Sequence, residues 1–393
     1  MTAPTPSTRF ARRATAVIAG ALLVLLVAQP VLAVTWGSAV KLSSDANYQP
    51  RIFRTGPAKA LMVWQSGTSA FARRTADGGK TWSPTTRIAS GIRVNFAASG
   101  YGTSVDIAYV RLTTSPTGAP AGRLFYRRTI DGGVTWEASR AVTPSSSNIS
   151  DQAVARHSSG RVTIAWTGYS TGRLYMRTSA DSGVTFGSAR YIASTSNWEP
   201  GTYAFYRSGP ALAIGTGATY IAYLSAANTM SVRRSTDQGV TWLAPIKISA
   251  STDEGFGLIA SGNSAILAYT STASGTMQAV YRRTTDKGAT WSGGKALSAS
   301  TNSRFSTTPM FTLQAGVLAV VFKHGRPGDS PIWYRQSTDF GLTWTPLSRV
   351  SAVHVSDADP EPGGVALLDG LKLVGYNENR GEGDEGLWVR RGQ

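Results

Sequence analysis

The sequence predicts an all-β fold: a seven-bladed β-propeller of four-stranded antiparallel sheets, closed by pairing of its N- and C-terminal strands. Three observations predict it. An eight-residue phrase, first seen as TADGGKTW at 75–82, returns at 129–136, 179–186, 235–242, 284–291 and 337–344, each copy 49 to 56 residues after the last. Only 16% of the chain is charged, 42 residues are Gly, and the apolar runs are short and rich in Val, Ile, Tyr and Trp. That is the composition of many strands joined by many turns. Finally, the two ends of the chain hold complementary parts of one further unit.

Each unit divides into four strands, a to d. Strand a ends at a glycine: Gly56, Gly100, Gly160, Gly217, Gly262, Gly316 and Gly370. Strand b ends at an aromatic: Trp64, Tyr109, Trp166, Tyr223, Tyr269, Phe322 and Tyr376. Strand c ends in Arg before the phrase: Arg73, Arg127, Arg177, Arg233, Arg282, Arg335 and Arg390. Strand d is expected to begin at the phrase's Trp. These sets have seven members each, whereas the phrase occurs six times. The C-terminus stops at LWVRRGQ, a strand c with nothing after it, and VTWGSAVKLS at 34–43 matches VTWLAPIKIS at 240–249. Segment 35–43 is therefore predicted to be the missing strand d, lying beside 387–391 and removing two open sheet edges.

The phrase S/T-x-D-x-G-x-T-W suits a tight hairpin between strands c and d. Its Asp accepts from turn N–H groups, its Gly admits a positive φ, and its Trp plugs the space between layers. Asp77, Asp131, Asp181, Asp237, Asp286 and Asp339 occupy equivalent turns, and equivalent turns around a ring cannot share one site. The phrase reads as scaffold, and the repeated strand-c arginines read as groups that pack or pair around the ring.

The phrase is similar to the Asp-box, or BNR repeat, of sialidases and other secreted glycan-handling propellers, and the resemblance spans 34–393. It implies that the phrase lies opposite the functional face. The a–b and c–d turns would then lie below, and the d–a and b–c connections above. Function is expected in the irregular upper loops. The longest, STSNWEPGTYAFYRSGP, leads into blade 4 and carries Trp198, Glu199, Tyr203, Tyr206 and Arg207.

Sialidases hold a substrate carboxylate with three Arg, use a Tyr nucleophile activated by Glu, and employ an Asp acid/base. The stretch QPRIF puts Arg51 where the family's first Arg stands, with Arg93 and Arg304 to complete the triad. Glu199 with Tyr203 or Tyr206 would be the Glu/Tyr pair, and Asp359 the further catalytic carboxyl. A second enzyme reading borrows from seven-bladed Asp-box enzymes that cleave plant β-glucans with two aspartates, and pairs Asp151 with Asp359. The non-enzyme reading is a carbohydrate- or protein-binding propeller in which Trp198, Tyr203 and Tyr206 stack on sugar rings.

Residues 1–33 differ in kind. Arg9, Arg12 and Arg13 precede an apolar run at 14–28, and the segment ends in VLA. This is the pattern of a secretory signal, with an uncleaved membrane anchor as the alternative. Export makes the chain secreted, and with no Cys it must be stabilised by its core alone. The net charge is +17, or +14 once those three Arg are removed, which suits a glycan or other anionic polymer. No nucleic-acid module accompanies the charge. His157, His324 and His354 lack metal-ligand spacing, so no metal or other cofactor is expected. The stretch DADPE at 357–361 is the one alternative, as a calcium loop.

Overall fold

Strand b of each repeat is apolar almost throughout, and it is buried on both faces. Ala60–Ser66, Thr219–Leu224 and Ser264–Ser271 are closed to solvent along nearly their whole length. A strand with this pattern belongs at the centre of a layered stack. The computed structural model describes residues 34–44, 47–114, 120–144, 147–168, 171–195, 209–225, 229–250, 252–298, 305–326, 330–351, 361–379 and 385–393. Among them the chain is strand and turn without helix, arranged as seven four-stranded antiparallel sheets. Blades 1 to 6 comprise 47–90, 92–141, 149–194, 211–249, 252–296 and 305–349.

Blade 7 takes its first three strands from Glu361–Leu368, Leu371–Asn379 and Glu385–Gly392, and its fourth from Trp36–Ser43. The closing register pairs Trp36 with Gly392, Val40 with Val389 and Lys41 with Trp388. The core lies between blades rather than within them: Leu61 and Val63 of blade 1, for example, pack with Ile107 and Tyr109 of blade 2. The seven strand-b aromatics are all buried there.

The six phrases share one geometry. In the first, the Thr75 hydroxyl donates to Asp77 Oδ1 at 2.8 Å and accepts from the Gly79 N–H at 2.8 Å. The Thr81 hydroxyl donates to Asp77 Oδ2 at 2.6 Å. The phrase's glycine has a positive φ, and in five of the six phrases it has almost no room for a Cβ. At Gly133, with φ +87°, a Cβ would stand 2.6 Å from Leu61 Cδ1 of the preceding blade. The phrase's aromatic also reaches back one blade: Phe186 meets Tyr126, Trp291 meets Tyr220 and Trp344 meets Tyr281, all edge-on. Trp36 does the same to Tyr334, so the N-terminal segment supplies a seventh plug.

Strand d begins later than the sequence reading expected. It starts at Thr86, Arg140, Arg190, Ile246, Lys295 and Ser348, four residues beyond each phrase's aromatic. Backbone pairing supplies a single bond after the aromatic, such as Ser83 N to Arg74 O at 2.8 Å. A guanidinium then bridges the gap: Arg73 Nε donates to Ser83 O at 2.7 Å, and Arg335 Nε to Thr345 O at 2.6 Å. The same side chains reach the preceding blade. Arg73 Nη1 donates to Leu42 O and Arg335 Nη1 to Leu297 O, both at 2.7 Å. Arg127, Arg233 and Arg390 likewise bond Ile88, Ile192 and Val350.

The next residue of strand c points forward. Arg234 bonds Lys287 O at 3.2 Å, Arg283 bonds Phe340 O at 2.7 Å, and Arg128 bonds Ser182 O, each within the phrase of the following blade.

Replacing Gly133 by Ala should destabilise the ring by about 2–4 kcal/mol, from backbone strain together with overpacking against Leu61. Equilibrium urea unfolding checks it. Acid should act through the phrase carboxylates. The Thr81, Thr241 and Thr290 hydroxyls hold Asp77, Asp237 and Asp286 well below the ordinary range. For Asp131 and Asp339, burial pushes upward, but the Thr135 and Thr343 donors outweigh it and leave about 2. Folded values below the unfolded one mean that this stability is fully present above about pH 4 and lost as pH falls through 2. Thermal midpoints at stepped pH should be flat on this account from 7 to 5 and fall steeply below about 4.

Candidate functional site

The innermost strands run side by side around a central channel of about 460 Å³. Each enters from the d–a connection, so its first residues line the upper mouth. In six of the seven sheets the pairing of strands a and b slips at this upper end, among them at Tyr48/Arg51, Ile92/Phe96 and Ile149/Asp151. Such bulges break the strict alternation of side chains and re-aim them. Most of the wall is apolar or backbone, from Ile52, Phe96, Ala153, Phe256 and Met310 among others. Among its polar side chains, two at the upper end are charged by nature: Arg51 of blade 1 and Asp151 of blade 3.

Arg51 is buried, at 8% exposure. Its Nη1 donates to Pro50 O at 2.7 Å, and its Nη2 has no hydrogen-bond partner among the described residues. Pro50 is itself held tightly, since a Cβ at Gly363 of blade 7 would meet its carbonyl oxygen at 2.8 Å. The arginine is therefore fixed in place with donor capacity to spare, which is how a protein prepares for an anion.

Asp151 stands half-buried in the channel wall against Gly209, where any Cβ would overlap its carboxyl. Burial pushes that carboxyl up to about 7, and the Gln152 N–H, donating at 2.9 Å, pulls only weakly the other way. A carboxyl in this range is half-protonated at neutral pH and serves as a proton donor or acceptor.

Arg93 is placed apart from these two. Its Nη1 donates to Asn148 Oδ1 at 3.3 Å, and it is absent from the described channel lining. Trp198, Glu199, Tyr203, Tyr206, Arg304 and Asp359 lie outside the described residues, as does most of the DADPE stretch. Among the described residues no three His, Asp or Glu side chains group as metal ligands, and no helix is long and apolar enough to cross a membrane. The sequence reading offered Asp151 for one pairing only. Its signal, an acid at the upper end of strand a, was visible; its raised proton affinity was not.

No family model and no curated protein matches the chain. Solved structures match its fold. An ulvan lyase of polysaccharide lyase family PL25, bound to -[GlcA(1-4)Rha3S]-, is 11% identical with a TM-score of 0.55, over 90% of this chain and 95% of the lyase. A protein of unknown function from Dyadobacter fermentans is 14% identical with a TM-score of 0.56, over 92% and 99%. The NanB sialidase of Streptococcus pneumoniae is 12% identical with a TM-score of 0.50, over 79% of this chain and 68% of that one. At these identities the likeness is one of fold.

Asp151→Asn should stabilise the protein at pH 8 by about 1–3 kcal/mol and have little effect at pH 5. The sign follows from the raised value: the folded state binds the proton more tightly than the unfolded one, so the wild type loses stability as pH climbs from about 4 to 7. Urea unfolding of both proteins at the two pH values measures it.

Proposed function

We propose that this chain is an exported Asp-box propeller that recognises glycans bearing anionic groups at the upper mouth of its channel. The observation that carries this reading is Arg51, a buried guanidinium on a rigid strand with an unpartnered Nη2 at the channel wall. Bidentate guanidinium pairing suits a sugar carboxylate, and the enclosed wall strengthens it by excluding water. The fold neighbours add support by analogy alone, since one is a sialidase and another is a lyase bound to a GlcA-containing saccharide. Export rests on residues 1–33, with their Arg-led apolar run and the VLA ending at 31–33.

Exo-glycosidase activity of the sialidase type is the finer reading, and Asp151 favours turnover over binding alone. A carboxyl titrating near 7 can protonate a leaving oxygen at neutral pH. In this scheme Arg51 orients an acidic sugar and Asp151 delivers the proton. Glu199 and Tyr203 would supply the nucleophile, Arg93, Arg304, Trp198 and Tyr206 further substrate contacts, and Asp359 a second carboxyl. A non-catalytic carbohydrate- or protein-binding propeller is the alternative.

A panel of fluorogenic sialosides and uronides, with retention on immobilised acidic glycans, tests both readings. Arg51→Ala should weaken binding at least tenfold while leaving the thermal midpoint within a few degrees. Asp151→Asn should abolish turnover and spare binding. Retention without turnover on any glycoside selects the binder. Retention unchanged in Arg51→Ala removes the channel mouth as the site.

A further inference from the structure

The joints between blades are filled by rule, and two strand-c positions, Thr178 and Gln336, break it; Gln336 stays within its own blade, accepting from the Tyr334 hydroxyl at 2.6 Å. The second strand-c position reads Arg74, Arg128, Thr178, Arg234, Arg283, Gln336 and Arg391 around the ring. Arg128, Arg234 and Arg283 each extend into the phrase of the next blade. In blade 3 the residue is Thr178, too short to cross, and its hydroxyl instead meets Thr163 Oγ1 at 3.3 Å. The glycine contacts record the same gap. A Cβ at Gly79, Gly133, Gly288 or Gly341 would stand 2.6–2.9 Å from the preceding blade, whereas at Gly239 it would meet Met176 Cε only at 3.4 Å.

On its lower face the joint between blades 3 and 4 therefore lacks the strand-c crossing; Arg190 Nη1 bridges it instead to Val240 O at 2.6 Å, and two hollows flank that bridge. One, of about 220 Å³, is lined by His157, Ser159, Arg161, Thr216, Thr236 and Gln238 among others. The second, of about 140 Å³, shares Arg161 and Gln238 and adds Thr178, Ser188 and Arg190. The Arg161–Gln238 side-chain hydrogen bond stands between them.

The chemistry of this lining has one sign. Among its described residues there is no carboxylate. The two nearest in sequence are each held by a pair of hydroxyls, Asp181 by Ser179 and Thr185 at 2.6 and 2.5 Å and Asp237 by Ser235 and Thr241 at 2.7 and 2.5 Å. His157 Nδ1 accepts from the Ser159 N–H at 3.2 Å, so the neutral ring carries its proton on Nε2 as a donor. Arg161 brings a permanent charge, and Thr216 and Thr236 bring hydroxyls. The turn that supplies His157, Ser159 and Arg161, HSSGR at 157–161, has no counterpart of that composition in the other blades.

We infer that this joint is a second binding site, on the face opposite the channel mouth, for a tetrahedral oxyanion carried as a sulfate or phosphate ester. Arg161 and His157 face the anion, the threonine hydroxyls complete its donors, and the absent strand-c arginine makes the room.

The test is calorimetric titration of the purified chain with sodium sulfate and with inorganic phosphate, against chloride at matched ionic strength. Sulfate or phosphate should bind, and Arg161→Ala should weaken binding at least tenfold. Thr178→Arg, which restores the residue used in most other blades, should do the same while keeping the thermal midpoint at or above wild type. Arg51→Ala should leave this binding unchanged, which separates it from the channel mouth. Competition by a sulfated polysaccharide or by a glycerol-phosphate polymer distinguishes the two sources of the ester. Binding no tighter than chloride, binding indifferent to both Arg161→Ala and Thr178→Arg, or binding lost in Arg51→Ala would overturn the proposal.

Discussion

A guanidinium resting on the backbone carbonyl of the neighbouring sheet is the contact on which this ring depends. Backbone hydrogen bonds tie strands together within a blade; between blades they are few, such as Gly217 N to Gly262 O at 2.9 Å and Asp369 N to Pro57 O at 3.2 Å, and side chains make the other crossings. The blades also splay apart toward the rim, where apolar contact thins and water enters. Arg73, Arg127, Arg233, Arg335 and Arg390 cross that widening gap and bond a strand-d carbonyl behind them. The same head groups satisfy the carbonyl just after the phrase's aromatic. A planar group with several donors in a fork can serve two carbonyls at once, which an ammonium on a flexible stem does less well. The positive charge of the chain is thus in good part structural.

Closure follows the same logic. Trp36 edges onto Tyr334, and Arg390 bonds Gly37 O at 2.7 Å as well as the Val350 carbonyl. The N-terminal strand thereby reproduces the contacts of an ordinary repeat although its chain arrives from the opposite end. Because side chains cross the joints from below and at the rim, the upper ends of strand a are released from that duty. Bulges gather there, and Arg51 and Asp151 stand beside them. The blade 3–4 joint is the lower-face counterpart: the pattern lapses at Thr178, and polar side chains occupy what an arginine would fill.

Much of the fold was legible because a repeat writes its constraints several times over. The strand-b aromatics, the phrase glycines and the match of 34–43 to 240–249 each name a position that must be buried, tight or paired. The start of strand d was misplaced by four residues, because local pattern does not show where pairing with strand c resumes after the phrase. The site was less legible. Arg51 was found through resemblance and does line the channel. Arg93, equally basic, stands inside the register slip of its strand a, where Arg51 follows its own, and turns to Asn148 instead. Nothing in composition separates the two, because a bulge determines which way each side chain points.

Periodicity by itself therefore determined the number of blades, the order of strands within them, the shared lower turn and the source of the closing strand, since each is a local requirement repeated until it is unambiguous. Tertiary structure alone decided that Asp151 holds its proton to near neutrality, that Arg51 keeps a donor free, and that hollows flank one joint. Those properties come from how closely non-neighbouring backbones approach, as Gly209 does to Asp151 and Gly239 fails to do to Met176, and no single stretch of sequence carries that distance.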